Sequence, residues 1–188
     1  MTDLEAANRA LVLIGVAPIG SLLDNTQSAR VINGLLPDTK KVVLNEFPWS
    51  FALRIEPLVP RAGSIAGYLH TFQYPANALN VQRVYDATGF RGLAEFRIVE
   101  GLIAANISSG TVEYTAHVED LSLWPRQIAE CLAVRLASDA AISLSGDARL
   151  SMAMLEKYMK LAGAASQTSV SEENVPLMRA TDYIDARR

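Results

Sequence analysis

The sequence predicts an α+β chain, a bundle of about four helices that carries an inserted small antiparallel β domain. Apolar residues recur at helical spacing on both flanks, whereas residues 50–122 alternate apolar and polar and are rich in turn residues. Two helix-breaking phrases mark the changes: Phe47-Pro48-Trp49 closes the first helical block and Trp124-Pro125 opens the second. The expected organisation is a helical domain from residues 1–49 and 123–165, a β-rich domain from 50–122, and an extended C-terminal tail from 166–188.

Each element has a local reason. Leu4, Ala7, Leu11 and Ile14 recur at helical spacing after Thr2, which forms a T-x-x-E capping box with Glu5, and Gly15 suits the left-handed end of a helix over about Asp3 to Ile14. The apolar run Ala10 to Ile19 is preceded by acidic Asp3 and Glu5, so it reads as part of that helix and not as a signal peptide. After a loop with Pro18 and Gly20, Asp24 and Gln27 are placed at cap and third position of a second helix. Its apolar stripe is Ile32, Leu36, Val43 and Phe47, with a kink expected at Pro37, where the hydrogen bond to the Asn33 carbonyl is lost.

In the β-rich part, Thr111 to Val118 alternates most clearly. Val112, Tyr114, Ala116 and Val118 share a packed face, and Thr111, Glu113, Thr115 and His117 a wet one. Phe96 and Ile98 lead through Glu100-Gly101 to Leu102 and Ile103, a tight hairpin, and Tyr68 to Tyr74 and Ala78 to Tyr85 are two further strands separated by Pro75. Pro125 is placed in the first turn of a helix to about Leu144, on which Ala129, Ala133, Ala137 and Ala141 let a second helix approach closely. Ser145-Gly146-Asp147 breaks and recaps the chain, and Leu150, Met154, Tyr158, Leu161 and Ala165 define one face of a fourth helix. From Ser166 the pattern ends in a polar tail that is either disordered or ordered by lying on a partner, and the apolar islands Val175, Pro176, Leu177, Met178, Tyr183 and Ile184 favour the second.

Composition narrows the function. A net charge of -3 and a pI near 5.4 lack the basic excess of a protein that grips nucleic acid. Between Ser50 and Val118, five arginines (54, 61, 83, 91 and 97) balance five acids (Glu56, Asp86, Glu95, Glu100 and Glu113). The lone Cys131 reads as a small buried apolar residue in a reducing compartment, and no run reaches the roughly 20 apolar residues of a membrane span, so a soluble chain without an anchor is expected.

Catalytic signatures are absent from the sequence: no nucleophile elbow, phosphate-binding loop, dinucleotide fingerprint, H-E-x-x-H or C-x-x-C. His70 and His117 fall on separate strands, Glu119-Asp120 and Glu172-Glu173 read as solvated acids, and Asn106-Ile107-Ser108 as a chance glycosylation match. Phe47, Pro48, Trp49, Trp124 and Pro125 are assigned to structural junctions, with both tryptophans sealing a core. No catalytic residue, metal or cofactor is expected.

Taken in order, Ala10-Leu11-Val12-Leu13-Ile14-Gly15, Ile19, Ser21-Leu22, Phe47-Pro48-Trp49-Ser50-Phe51-Ala52, Tyr74-Pro75, Leu79, Val81, Trp124-Pro125, Leu132, Ala133 and Leu136-Ala137 resemble the tail tubular protein A family of short-tailed phages. The resemblance covers about Leu4 to Ala165. It implies a virion protein, a head-to-tail adaptor that forms a homo-oligomeric ring, a dodecamer, beneath the portal. Such a ring extends the DNA channel and receives the tail nozzle and fibres, and DNA passes through it without sequence-specific binding. It implies no catalytic residues, and places assembly in the host cytoplasm. The C-terminal apolar islands are then assigned to portal contact. Two other readings compete: a helical interaction module or other tail-tube component, and a weak cell-wall hydrolase using Glu113 or Glu119. The latter has little support, because a strand-face Glu113 facing water has no desolvation to raise its pKa.

Overall fold

The computed structural model describes residues 1–89 and 92–172. These form four helices, α1 (Asp3–Leu13), α2 (Gln27–Glu46), α3 (Arg126–Ser145) and α4 (Ala148–Glu172). Between α2 and α3 lie six strands, β1 (Leu53–Pro57), β2 (His70–Gln73), β3 (Ala78–Asp86), β4 (Phe96–Val99), β5 (Leu102–Ala105) and β6 (Gly110–Ala116). The fold is α+β, a helical bundle with an antiparallel β unit inserted, as expected from the sequence.

The capping box at the start of α1 is complete: Thr2 Oγ1 accepts from Glu5 N at 3.2 Å and Glu5 Oε2 accepts from Thr2 N at 2.7 Å. Gly15 takes a left-handed φ of 74° just past the helix. The next cap differs from expectation. Thr26, not Asp24, opens α2 by accepting from Ala29 N, while Asp24 Oδ2 turns back to accept from Gly20 N and Ser21 N, both at 2.9 Å. Thr26→Ala should therefore cost about 1 kcal/mol in denaturant unfolding. The same change at Asp24 should leave the helix cap intact.

Helix α2 runs unbroken through Pro37, which is exposed, so the missing hydrogen bond falls where water can replace it. Pro48 then forces Phe47 into extended backbone and ends the helix. Pro125 sits one position earlier than expected, as the cap residue of α3, whose far end is closed by Gly146 at φ 70°. Asp147 Oδ1 recaps α4 by accepting from Arg149 N at 2.8 Å.

The four alanines at 129, 133, 137 and 141 are all buried, and α3 packs against α1, α2 and α4 at once. It is the axis of the bundle. Reciprocal bonds from Ser138 Oγ to the Ser151 carbonyl and from Ser151 Oγ to the Ser138 carbonyl, each 2.9 Å, pin α3 to α4. Helix α4 also overruns its expected end, continuing from Ala165 to Glu172. The reason is a tertiary contact: buried Ser169 accepts from Ser50 N at 2.9 Å and seats this end of α4 on the turn after Trp49.

The β unit is two three-stranded sheets, ordered β1-β6-β3 and β2-β5-β4, with every pair antiparallel. Phe72, Ile103 and Ala105 of one sheet meet Val84, Val112 and Tyr114 of the other in a separate small core. The β4–β5 hairpin turns through Glu100 (φ 53°) and Gly101 (φ 73°), two successive left-handed residues, as the pair predicts. Strand β1 was not expected. It is an exposed edge strand ending in Pro57, and its side chains lack the alternating burial that betrays an inner strand.

Candidate functional site

The junction between bundle and β unit is built twice on one plan. Trp49 and Trp124 are both buried, and each indole N–H donates to the carbonyl six residues earlier, Val43 at 2.7 Å and Val118 at 3.0 Å. An aromatic neighbour tilts against each, Phe47 with ring centres 5.3 Å from Trp49 and Phe51 at 5.5 Å from Trp124. Pro48 and Pro125 stay at the surface and steer the backbone. A buried Lys40 adds a third tie: its ammonium donates to Asp3 Oδ2 at 2.8 Å and to the Glu119 carbonyl at 2.7 Å, joining α1, α2 and the segment that re-enters the bundle. Glu119 thus contributes its backbone, and Asp120 caps the following turn by accepting from Ser122 N at 2.9 Å.

Glu113 corrects the sequence reading. The second face of β6 is not wet: side chains of the neighbouring strand β3 reach Glu113 and Thr115, and both are buried. Arg83 Nη1 donates to Glu113 Oε1 at 3.2 Å, Tyr85 donates to Glu113 Oε2 at 2.9 Å, and Gln82 Nε2 donates to Thr115 Oγ1 at 3.0 Å. The carboxylate is desolvated, contrary to expectation, and it is engaged by a guanidinium and a phenol of β3. That arrangement holds β6 to β3. His70 is exposed on β2, with its ring 6.5 Å from that of Phe72, and His117 follows β6 half-buried. Among the described residues no three His, Cys, Asp or Glu side chains converge as a metal site. Burial pushes the Cys131 thiol up to about 11, which keeps it unreactive near neutrality. No helix among the described residues is long and apolar enough to cross a membrane.

A second polar cluster lies where α2, α3 and α4 meet. Tyr158 donates its hydroxyl to Glu46, Arg135 lies 5.5 Å over the Tyr158 ring and 3.2 Å from Asp139, and Thr39 donates to Asp139 Oδ2 at 3.1 Å. Burial, and then the Glu46 carboxylate, hold the Tyr158 phenol well above its ordinary value. The protonated phenol is the form the fold favours. Its contribution is complete below the unfolded tyrosine pKa of about 10 and is lost as pH rises beyond it. Thermal melts should therefore fall off above about pH 10. Tyr158→Phe should flatten part of that decline while costing roughly 1.5–3 kcal/mol at neutral pH.

The chain matches no protein-family model, and a search of curated proteins finds no match.

Two surface features involve α4. Met152, Leu155 and Met159, at i, i+3 and i+7, stand 64%, 40% and 50% exposed and form an apolar ridge, with Ile142 of α3 also 59% exposed. Elsewhere on the bundle an open groove of about 1000 Å³ runs between α1 and α4, floored by Cys131, Leu161 and Ala165 and rimmed by Glu5, Arg9 and Arg126. The sequence reading found the inward face of α4 and missed the ridge. Its signal was present as a second apolar stripe on the same helix, which a search for one buried face passes over. The expected portal-contact residues Val175, Pro176, Leu177, Met178, Tyr183 and Ile184 lie outside the described residues.

Proposed function

We propose that this chain is a structural virion subunit, a head-to-tail adaptor. It forms a dodecameric ring beneath a portal, extends the DNA channel and offers a platform to the tail nozzle and fibres. Its work is assembly in the host cytoplasm and persistence in the virion, with no catalysis. The observation that carries this reading is the exposed Met152–Leu155–Met159 ridge on a bundle whose own core is filled. An exposed apolar stripe along one helix face offers a docking surface for another protein. The ordered phrases that resemble the tail tubular protein A family support it further, and two of them hold the tryptophans buried in the helical core.

The balanced charge fits a conduit. Phosphate binding needs clustered Lys and Arg, and a wall without them lets DNA slide. Electron microscopy of the chain mixed with its portal should show an added ring below the portal with an open central channel. Portal particles that remain bare at excess chain would contradict the adaptor reading. Glu113→Gln and Glu119→Gln address the hydrolase alternative: lytic activity in the wild type that either substitution removes would favour it.

A further inference from the structure

The β unit is joined to the bundle at two crossings, through residues 47–53 and 117–124. Its own core is separate, and among the described strand residues Leu79 of β3 alone packs against the bundle core. The two crossings are held differently. On the second, the buried Lys40 ammonium donates to the Glu119 carbonyl at 2.7 Å and the Trp124 indole to the Val118 carbonyl at 3.0 Å, which fixes the chain to the bundle within three residues of the end of β6. On the first, the Trp49 anchor is followed by one turn, Ser50–Ala52, before β1 begins at Leu53.

That turn is where the crossings meet. Ala52 is buried in the bundle core, and the Phe51 ring tilts against Trp124 of the other crossing, with centres 5.5 Å apart. The end of α4 is seated on the same turn: Ser50 N–H donates to Ser169 Oγ at 2.9 Å, and the Ser169 hydroxyl donates to Ser50 Oγ at 3.1 Å. Tyr158, Ala162, Ala165 and Ser169 form one inward row on α4, at i, i+4, i+7 and i+11. The first three are buried in the bundle core, whereas Ser169 reaches past it to the junction.

We infer that the last turns of α4 are a strap on this junction: seated on Ser50 they fix the angle of the β unit, and lifted they let it swing about the second crossing. The order of opening follows from the bonds. Neutral hydroxyl bonds hold the strap, whereas a charge-assisted bond, roughly twice as strong, holds Glu119. Segments outside the apolar core open locally at small cost, and a swing then has one apolar strand contact to shift, Leu79. The coupling is reciprocal. Holding the β unit at another angle favours the lifted strap, and displacing the end of α4 favours another angle.

The test uses the full-length chain with spin labels at Ile98→Cys on β4 and Met152→Cys on α4, both exposed positions, while the native Cys131 is buried. Adding Ser169→Ala should broaden the label-to-label distance distribution and raise amide exchange across residues 50–53 about five- to tenfold. The amides of α3 should keep wild-type protection, which shows that the variant folds. Gln167→Ala, at an exposed position on the same turn of α4, should change neither readout. Faster exchange at 50–53 with an unchanged distance distribution would make Ser169 a local bond only, and would overturn the strap. An unchanged exchange rate, or the same response from Gln167→Ala, would overturn it too. Exchange that rises equally through α3 would place Ser169 in the global unfolding unit and contradict a strap that lifts by itself.

Discussion

Trp49→Ala is expected to lose about 3–5 kcal/mol of stability, the cost of emptying a fully buried large aromatic site. The indole is 0% exposed and supplies the bond to the Val43 carbonyl, so truncation removes packing and leaves a buried acceptor unpaired. For a chain of this size the melting temperature should fall by roughly 6–20 °C. Trp124→Ala should behave alike, because its indole makes the equivalent bond to Val118. The two losses should exceed additivity or fall short of it only if the anchors couple, which a double-mutant cycle in urea reads directly. A loss below about 1 kcal/mol at either tryptophan would contradict its place in the core.

Gly110→Ala is expected to be comparably damaging for a different reason. A Cβ at this first residue of β6 would stand 1.9 Å from the Tyr85 carbonyl oxygen and 3.1 Å from Asp86 Cα. Those atoms are backbone of the paired strand β3, in which Asp86 is the registered partner of Gly110, so relief requires the sheet to open. Overpacking ordinarily costs about 1–3 kcal/mol, and a clash against strand backbone belongs at or above the top of that range. Gly92→Ala is the informative contrast. Its Cβ would meet the Asp86 carboxylate at 1.8 Å, an obstacle on an exposed turn that yields by giving up the bonds from Thr88 N and Oγ1 to Asp86 Oδ1, so the loss should be smaller than opening a strand pair. Equal losses at the two glycines would contradict this account of the β3–β6 edge.

The contrast between what the sequence disclosed and what it hid follows from the range of the forces involved. The capping box at Thr2, the Glu100-Gly101 turn and the Pro48 break are local, set by residues three or four apart, and the folded chain keeps all three. The α3 axis was readable as well, because four alanines at one spacing let another helix approach closely, and all four are buried. Long-range contacts were not readable. Ser169 extends α4 by bonding Ser50, 119 residues away, and polar sequence alone makes that turn look like the start of a tail. Glu113 looked wet because an acid in an alternating strand usually is. It is engaged by Arg83 and Tyr85 of β3, some thirty residues away, which no local pattern reveals. At the candidate site the junction phrases were visible and the α4 ridge was not, since its three residues are interleaved with an inward face of similar composition.

Purified chain, measured by light scattering first alone and then with its portal ring, tests the adaptor reading most directly. The account predicts a monomer or a closed ring that joins the portal as a stoichiometric complex of much higher mass. A small species whose mass is unchanged by the portal would contradict it, and would leave a helical interaction module as the better description.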